Sequence, residues 1–383
     1  MRFSNLPWNK IFFKDIANFS KGNGLSKDLL SNKGIKCILY GELYTKYIPG
    51  PINKVISKTT TIPQNPVYSK KNDIILPASG ESNLDISTAC CLQEDNILLG
   101  GDLNIIRVSK HDGSFICYQL IGKRKFDVAK IAQGASIVHL HNSDLEKLKL
   151  FIPPSLADEL KISSLLNVIS ERIVTQKKII NKIKSLIISI KNTEFYNTKG
   201  FKEKLENILI EINEKTIINN QHAVLSSTVK GIFKQSDYFD RAVASENNIG
   251  YKIVKRGNIV VSPQNLWMGN ISYNDKFDIG IVSPSYKIFN ISSNYNERYI
   301  FEMLTTKKSL YLFKTVSEQG ASIVRRNLNY EAFMQLTFNI PSLNEQNNFI
   351  EKLSLLQNKL SLENKILSLL EQQKQYLLDK LFI

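Results

Sequence analysis

Two segments of the chain carry apolar residues at alternating steps of four and three. These positions are Ile162, Leu166, Ile169, Ile173, Ile180, Ile183, Ile187 and Ile190 in the first segment, and Phe349, Leu353, Leu356, Leu360, Leu367, Leu370, Leu377 and Leu381 in the second. Such spacing is the a/d seam of a coiled coil. It predicts two helices of about 35 residues, each about 50 Å long, that pack against each other.

Polar residues interrupt this seam at matching places. Gln176 in the first segment and Glu363 in the second occupy the same register position. If a pseudo-two-fold axis relates the two segments and passes near these positions, antiparallel helices bring the two side chains together. Their pairing would then fix the helix register, as buried polar residues do in coiled coils.

The rest of the chain has the pattern of short strands. Apolar runs rich in β-branched and aromatic residues are bounded by Gly, Pro, Asn or Asp, which is typical of strands; they lie at 73–79, 104–109, 115–121, 251–263 and 280–291. Short helices are predicted at 296–305 and 330–335, and a further helical stretch at 202–212. The predicted fold class is therefore α+β, with mixed α/β domains separated by the long helices.

The chain also repeats itself. The hexapeptide QGASIV occurs at 133–138 and again at 319–324, and Pro154 and Pro341 introduce the two long segments in the same way. An internal repeat of this length indicates a duplicated architecture. We therefore predict a first mixed domain (1–152), a first long helix (153–195), a linker (196–226), a second mixed domain (227–340) and a second long helix (341–383).

Composition places the chain among ordinary globular proteins. It has 383 residues, of which 43% are apolar and 22% charged. No apolar run approaches the roughly 18 residues of a membrane-spanning helix, and the first ten residues lack a signal-peptide pattern. Cys37, Cys90, Cys91 and Cys117 show no CxxC spacing, so they are predicted to be reduced core residues of a cytoplasmic protein.

The net charge of +15 points to an anionic partner. Residues 1–150 carry +7 and residues 228–340 carry +5, whereas residues 341–383 are neutral. Dense basic groups in both mixed domains are predicted to contact the phosphates of nucleic acid. They are Lys70, Lys71, Lys123, Arg124, Lys125, Lys255, Arg256, Lys307, Lys308, Arg325 and Arg326.

The motifs of the enzymes that act on DNA are missing from this sequence. An (N/D)PP(Y/F) loop for a flipped base and a GxxxxGK(S/T) loop for a triphosphate are absent, and the E-x-K spacings at 159–161 and 363–365 fall in the predicted long helices. Four histidines without metal-ligand spacing give no support to a zinc site. The sequence therefore predicts no catalytic residues, no metal and no cofactor.

The order and duplication of these motifs resemble the DNA specificity subunit of type I restriction-modification systems. The resemblance rests on CILYGELYTKY, DIILPASGES and QGASIV in the first half and on YFDRAVASE, GNIVVSPQNLWMGNI, GIVSPSYKIF and QGASIV in the second. It implies a non-catalytic subunit in which two target-recognition domains each read one half of a split double-stranded DNA site. The two helices would pack antiparallel as a spacer and dock two methyltransferase subunits. Whether a restriction or translocase subunit joins the complex stays open, as does the partner contact at 157–160, where ADEL replaces the family's usual turn.

Base reading is expected from loop side chains that form bidentate or stacking contacts. The candidates are Ser79, Glu81 and Ser82 in the first domain and Gln264, Asn265, Trp267 and Asn270 in the second. Turn chemistry is the alternative role of these residues, and domain core is that of Trp267. Two other functions also remain: a stand-alone DNA methyltransferase or nuclease with divergent motifs, and a coiled-coil scaffold whose mixed domains bind proteins.

Overall fold

A computed structural model describes residues 7–134, 137–229, 231–238, 247–319 and 326–383. The chain divides into two compact units. Unit 1 contains Met1–Ile180 and Leu362–Ile383, and unit 2 contains Asn181–Ser361. The two long helices each contribute to both units, and the units are described separately below.

The elements that lie wholly in unit 1 combine short strands with short helices. The strands are β1 (Asn9–Phe12), β2 (Ala17–Lys21), β3 (Leu30–Ser31), β4 (Ile35–Ile38), β5 (Gly50–Ile52), β6 (Lys58–Thr59), β7 (Ile74–Pro77), β8 (Ser79–Gly80), β9 (Cys90–Leu92), β10 (Leu98–Leu99), β11 (Leu103–Val108), β12 (Val138–His139) and β13 (Lys149–Ile152). The α-helices are α1 (Glu42–Thr45), α2 (Asn83–Ile86), α3 (Gly113–Ile121), α4 (Lys125–Ile131) and α5 (Asn142–Leu145).

The strands of unit 1 form a five-stranded sheet in the order β2-β11-β7-β9-β5 and a four-stranded sheet in the order β10-β4-β6-β3. In the larger sheet, only the pair β5·β9 is parallel. Helix α3 packs on this sheet, and all nine of its residues are buried. Helix α3 therefore covers one face of the sheet. Strand β7 is fully buried and leads directly to residues 78–82, which contain the candidate base readers Ser79, Glu81 and Ser82.

The long helices are α6 (Leu156–Asn197) and α12 (Leu343–Leu381). Each follows a serine that caps it: the Ser155 hydroxyl accepts a hydrogen bond from the amide of Asp158 at 3.2 Å, and the Ser342 hydroxyl accepts one from the amide of Glu345 at 3.4 Å. Proline precedes both serines, which stops the preceding strand before the helix begins. The two predicted long helices are thus present.

Unit 2 contains its own strands and short helices. The strands are β14 (Phe201–Lys204), β15 (Leu209–Ile212), β16 (Leu225–Thr228), β17 (Gly231–Lys234), β18 (Lys252–Lys255), β19 (Ile259–Val261), β20 (Ile271–Tyr273), β21 (Ile279–Val282), β22 (Lys287–Ile291), β23 (Ser317–Gln319), β24 (Arg326–Leu328) and β25 (Thr337–Ile340). The helices are α7 (Leu205–Ile208), α8 (Gln235–Tyr238), α9 (Glu297–Leu304), α10 (Lys307–Thr315) and α11 (Tyr330–Met334).

The central sheet of unit 2 is antiparallel, in the order β15-β22-β19-β20. Strand β19 is fully buried and leads to the second candidate loop, as β7 does in unit 1. Beneath the sheet, an aromatic cluster joins α6, α9 and α12: the ring of Phe195 lies 5.2 Å from that of Tyr299 and 5.4 Å from that of Phe349. This cluster holds the long helices against the domain.

The predicted apolar seam is buried along most of α6 and only half-buried along the middle of α12. In unit 1, Ile162 and Leu166 of α6 share a core with Leu378 and Leu381 of α12. Gln176, farther along α6, contacts Glu363, which lies nearer the start of α12. The helix segments in this unit are therefore antiparallel. In the described part of the chain, no helix combines the length and the apolarity that a membrane span requires.

An equivalent hydrogen bond in each unit joins the domain to the long helix that follows it in the chain. In unit 1, Glu159 accepts a hydrogen bond from the amide of Asp112, the residue that caps α3, at 2.9 Å. In unit 2, Gln346 accepts one from the amide of Asn296, the residue that caps α9, at 2.8 Å. Both side chains are only 1% exposed. Because the two positions are 187 residues apart, they are the same position of the repeat.

Two predicted elements are wrong. The stretch at 115–121 is not a strand, since it belongs to α3, which Asp112 caps. The stretch at 202–212 is not one helix, because β14 pairs with β25 and β15 pairs with β22 around the single turn of α7. The other predicted strands contain β7, β11, β18, β19, β21 and β22, and the predicted short helices match α9 and α11.

The prediction that the four cysteines are core residues is confirmed. Cys37, Cys90, Cys91 and Cys117 are buried and unpaired. Burial raises the pKa of both Cys90 and Cys91 to about 12. These thiols are therefore protonated and unreactive at neutral pH.

Candidate nucleic-acid interface

The first candidate loop, residues 78–82, follows the buried strand β7. Ser79 and Gly80 form β8, which pairs with β12 so that Ser79 lies opposite His139. The amide of Leu140 donates to the carbonyl oxygen of Ala78 at 2.9 Å. The loop is therefore attached to the stretch that contains the first QGASIV motif. Glu81 is exposed, whereas the Ser82 hydroxyl caps α2 by accepting from the amide of Asp85.

The second candidate loop, residues 263–270, follows the buried strand β19. A 3-10 turn, Leu266–Met268, ends at Gly269, whose φ of 91° lies in the left-handed region that favours glycine. The amide of Asn270 donates to the carbonyl oxygen of Asn265, which closes the loop. The amide of Arg326 donates to the carbonyl oxygen of Gln264 at 3.2 Å. This loop is thus attached to β24, just after the second QGASIV motif.

Each unit therefore places a loop beside its copy of the repeated motif. Gln133, the first residue of the first motif, exchanges two backbone hydrogen bonds with His139, and Gln319, the first residue of the second, pairs with Arg326. Residues 135–136 and 320–324 of the motifs, and the candidate Arg325 that follows the second motif, lie outside the described residues. The repetition of QGASIV in the sequence predicted that the motif has an equivalent role in the two halves of the chain. It did not indicate which loop the motif would contact.

Trp267 lies between two cations in the second loop. The guanidinium carbon of Arg326 is 5.8 Å, and the Lys314 ammonium 6.0 Å, from the centre of its ring. The Arg326 guanidinium also donates from Nε and Nη2 to the carbonyl oxygen of Ser317, at 3.2 and 2.6 Å. The indole Nε1 is buried without a hydrogen-bond partner in the described structure. Trp267 is thus half-buried and supports two basic side chains.

Four of the predicted basic residues lie away from the loops. Lys70 and Lys71 precede β7, and Lys255 and Arg256 precede β19, so each pair lies at the opposite end of the strand from its loop. Five residues of extended chain span about 17 Å. Lys255 is also ion-paired with Glu214 at 2.7 Å, and Arg256 with Asp278 at 2.9 Å.

The three basic residues at 123–125 differ in exposure and in pairing. Arg124 is half-buried, because it pairs with Asp127 at 3.0 Å and lies over the ring of Phe151. Lys125 is also half-buried, whereas Lys123 is exposed. Only Lys123 of this group is fully available to a ligand of the protein.

The amide side chains of the second loop differ in their availability. Gln264 is exposed, and Asn265 is half-buried. Asn270 accepts a hydrogen bond from the hydroxyl of Ser227 at 3.2 Å, which orients its side-chain oxygen toward the sheet. Across the described residues, His, Cys, Asp and Glu side chains form no group of three that would suit a metal ion.

Comparison with known proteins agrees with this geometry. Residues 5–185 match the family model described as type I restriction modification DNA specificity domain. No curated protein matches the chain by sequence. Among solved structures, the type I restriction-modification S subunit from M. genitalium superposes with a TM-score of 0.61 at 16% identity, covering 99% of this chain and 97% of that one.

A second solved structure extends the likeness. It comes from work on complex assembly and conformational transition of the type I restriction-modification system, and it superposes with a TM-score of 0.58 at 12% identity, covering 99% of this chain and 98% of the other. At these identities the two likenesses concern the fold. Residues 5–185 are similar to the type I restriction modification DNA specificity domain, and the chain has the fold of the solved S subunit along nearly its whole length.

Proposed function

We propose that the chain is the non-catalytic DNA-binding subunit of a type I restriction-modification system, and that each mixed domain reads one half of a split target in double-stranded DNA. The observation that carries the proposal is the loop held beside a copy of QGASIV in each unit. The first domain is residues 1–152. The second, predicted as 227–340, also includes β14 and β15 from the predicted linker (196–226), because β14 pairs with β25 and β15 with β22.

The exposed and half-buried side chains of the loops have the chemistry of base readers. Gln264 and Asn265 carry amides, which pair with two edge atoms of adenine in the major groove. Glu81 is an acceptor for the amino group of cytosine, and the Ser79 hydroxyl both donates and accepts. Ser82 and Asn270 have structural hydrogen bonds, so they support the loops rather than contact bases.

The phosphate contacts are assigned to the basic residues nearest the loops. Arg326 meets this condition, because its amide donates to the carbonyl oxygen of Gln264 in the second loop. Lys70, Lys71, Lys255 and Arg256 lie a strand length away and would contact DNA only outside the bases read by the loops. Phosphate contacts position a protein on the duplex without reading sequence. The net charge of both domains suits this role.

Methyltransferase subunits are the proposed protein partners, one for each half of the chain. In unit 1, the outer faces of the long helices expose apolar residues, among them Val168 and Ile366, around a groove of about 390 Å³. A soluble protein rarely leaves such faces uncovered. The buried, reduced cysteines are consistent with a cytoplasmic location for the complex.

Salt titration of DNA binding tests the proposal. The full chain, alone and with its methyltransferase, is titrated onto a labelled duplex at several salt concentrations. Affinity should fall steeply with salt, with a slope of about −0.9 for each phosphate contact. A flat titration would exclude DNA binding and favour a protein-binding scaffold. Methyl transfer by the chain alone would favour a stand-alone enzyme.

Sequencing of methylated sites tests the two-domain reading. Cells that express the chain with its methyltransferase should methylate a target with two specific halves separated by unspecified base pairs. Replacement of residues 1–152 by the corresponding domain of a relative should change one half only. A change in both halves would contradict independent recognition by the two domains.

A further inference from the structure

Each unit exposes one aromatic side chain on a short helix that precedes its QGASIV motif. Phe126 of α4 is 72% exposed, and Tyr311 of α10 is 68% exposed. In both helices the residue two positions later, Val128 or Phe313, is completely buried. In each helix an exposed aromatic residue thus lies two positions before a buried one. Exposure of so large an apolar group at both copies calls for a ligand.

Lysines flank each aromatic residue. Lys130 lies four residues after Phe126 on α4, and Lys123 lies in the turn just before this helix. Lys307 and Lys314 lie four residues before and three after Tyr311 on α10. Residues three or four apart are neighbours on a helix surface. We name the two sets the α4 stripe (Lys123, Phe126, Lys130) and the α10 stripe (Lys307, Tyr311, Lys314).

The charge of the stripes is not neutralised within the described structure. All four lysines are exposed, and none forms an ion pair with a described carboxylate. In α10 there is no acidic residue at all, and in α4 the one carboxylate, Asp127, is paired with Arg124. Each stripe therefore presents two positive charges on either side of an aromatic ring.

Both stripes are next to the candidate loops. In unit 1, the Asn83 side chain donates to the carbonyl oxygen of Ala129, which joins α2 to α4 directly after the first loop. In unit 2, α10 packs on the second loop: a side chain on Gly269 would meet Leu310, and Lys314 lies over Trp267. The stripes thus border the surface that was assigned to DNA.

We propose that the α4 and α10 stripes are a second DNA-binding element in each domain, in which the lysines contact phosphates and the aromatic ring packs on the deoxyribose or base edge between them. This inference rests on the proposed function. DNA is favoured over a protein partner because lysine is depleted at protein interfaces, whereas phosphate contacts require it. Since neither stripe depends on loop chemistry, both should contribute affinity irrespective of sequence.

Binding of the full chain to a labelled duplex of randomised sequence tests the proposal. Phe126→Ala and Tyr311→Ala should each weaken binding by about five-fold or more, by analogy with the loss of an aromatic contact to a base. The matched control is Phe201→Ala, which removes an aromatic residue that is 77% exposed on β14. The control should bind as the unchanged protein does.

The lysines are tested by the salt slope. Lys123→Ala with Lys130→Ala should lower the slope by about two, because two phosphate contacts are lost. Lys147→Ala with Lys161→Ala changes the net charge equally but removes lysines that are ion-paired with Asp144 and Asp158, and it should change the slope much less. Methylome sequencing should find the same target in cells that express any of these variants.

The outcomes separate this inference from the proposed function. If the unchanged chain fails to bind DNA, the proposed function fails. If it binds and the stripe variants bind equally well, only the stripes are excluded. Variants that keep DNA affinity but no longer co-purify with the methyltransferase would overturn the proposal and assign the stripes to that protein.

Discussion

Gln176 of α6 donates its side-chain amide to Glu363 of α12, at 2.9 Å from the main-chain oxygen and 2.5 Å from the carboxylate oxygen Oε2. The two residues interrupt the apolar seam at the same register position, and Gln176 is buried. The pairing predicted from the heptad pattern is therefore confirmed. Apolar residues can pack in more than one helix register, whereas the hydrogen bonds of this polar pair form in only one register.

Substitution of Gln176 alone should destabilise unit 1. Gln176→Leu removes the amide that donates to Glu363, and the expected loss is about 1–2 kcal/mol in the free energy of unfolding. The double variant with Leu at both positions should recover most of this loss, since an apolar pair suits the seam. Urea unfolding measures both variants. A Gln176→Leu protein as stable as the unchanged protein would show that the hydrogen bond contributes nothing.

Lys374 of α12 is the other polar residue in the seam, and it is 8% exposed. Its ammonium donates to the carbonyl oxygen of Pro49 at 3.0 Å and lies 5.6 Å from the centre of the Tyr118 ring. Burial lowers the pKa of Lys374 from 10.5 to about 8. The fold therefore disfavours the charged form of this lysine.

The pKa of Lys374 predicts a pH dependence. A lowered lysine pKa gives stability that is present above about 10.5 and lost as the pH falls through about 8, because the unfolded chain takes up the proton first. Lys374→Met should remove this dependence and raise stability at pH 7, by at most about 3 kcal/mol less the lost hydrogen bond. Thermal unfolding at pH 7 and pH 10 is the measurement. The control is Lys365→Met, at an exposed position of the same helix. It should keep the pH dependence of the unchanged protein and should not raise stability at pH 7.

Glu159 and Gln346 make equivalent contacts with different chemistry. Burial raises the pKa of Glu159, although His111 and the amide of Asp112 oppose the shift. Its contribution to stability is therefore fully present below a pH of about 4.5 and is lost as the pH rises through the raised value. Gln346 shows that a neutral amide fills the same position.

We expect Glu159→Gln to fold and to gain stability relative to the unchanged protein as the pH rises from 4.5 to 7. Glu159→Ala should lose about 1–3 kcal/mol at both values, because the amide of Asp112 is left without an acceptor. Unfolding midpoints at the two pH values test both variants. A Glu159→Gln protein as unstable as Glu159→Ala would mean that the ion pair with His111, at 2.7 Å, is the essential contact.

Trp267 can be tested through its unpaired ring N–H. Trp267→Phe removes this group and keeps most of the ring, so stability should be unchanged or slightly higher. The Trp267→Phe variant should also methylate an unchanged target. Trp267→Ala removes the ring that supports Arg326, so it should reduce the sequence specificity at one half of the target. If Trp267→Phe alters that half, Nε1 itself reads a base. Methylome sequencing distinguishes the two roles.

The sequence allowed the long helices to be predicted better than the domains. A seam such as that of Ile162 and Leu166 repeats over many turns, and its partner helix has the same pattern. Helix α3 was missed because it is buried on every side, which removes the contrast between apolar and polar faces, although Asp112 and Gly122 at its ends are typical cap residues. Strands β14 and β15 were missed because their partners, β25 and β22, lie far away in the chain.

The candidate site was predictable only in part. The repeat identified QGASIV, and the polar residues after β7 and β19 identified the loops. That the motif and the loop meet depends on pairings such as Ser79 with His139, which join residues far apart in the sequence. The same holds for the basic residues: charge alone did not separate Lys123, which is free, from Lys255, which is paired with Glu214.

The contact of each domain with its long helix also affects how such a gene evolves. Glu159 binds Asp112, and Gln346 binds Asn296, so the joint between domain and helix is encoded within one half of the gene in each case. Each domain also contacts the long helix of the other half, since Lys374 of α12 donates to Pro49 and Tyr299 donates to Glu194 of α6. An exchange of one half therefore brings one joint with it but replaces one side of these other contacts. We expect new target specificities to arise by exchange of halves whose long helices keep matching residues at positions such as Lys374 and Glu194.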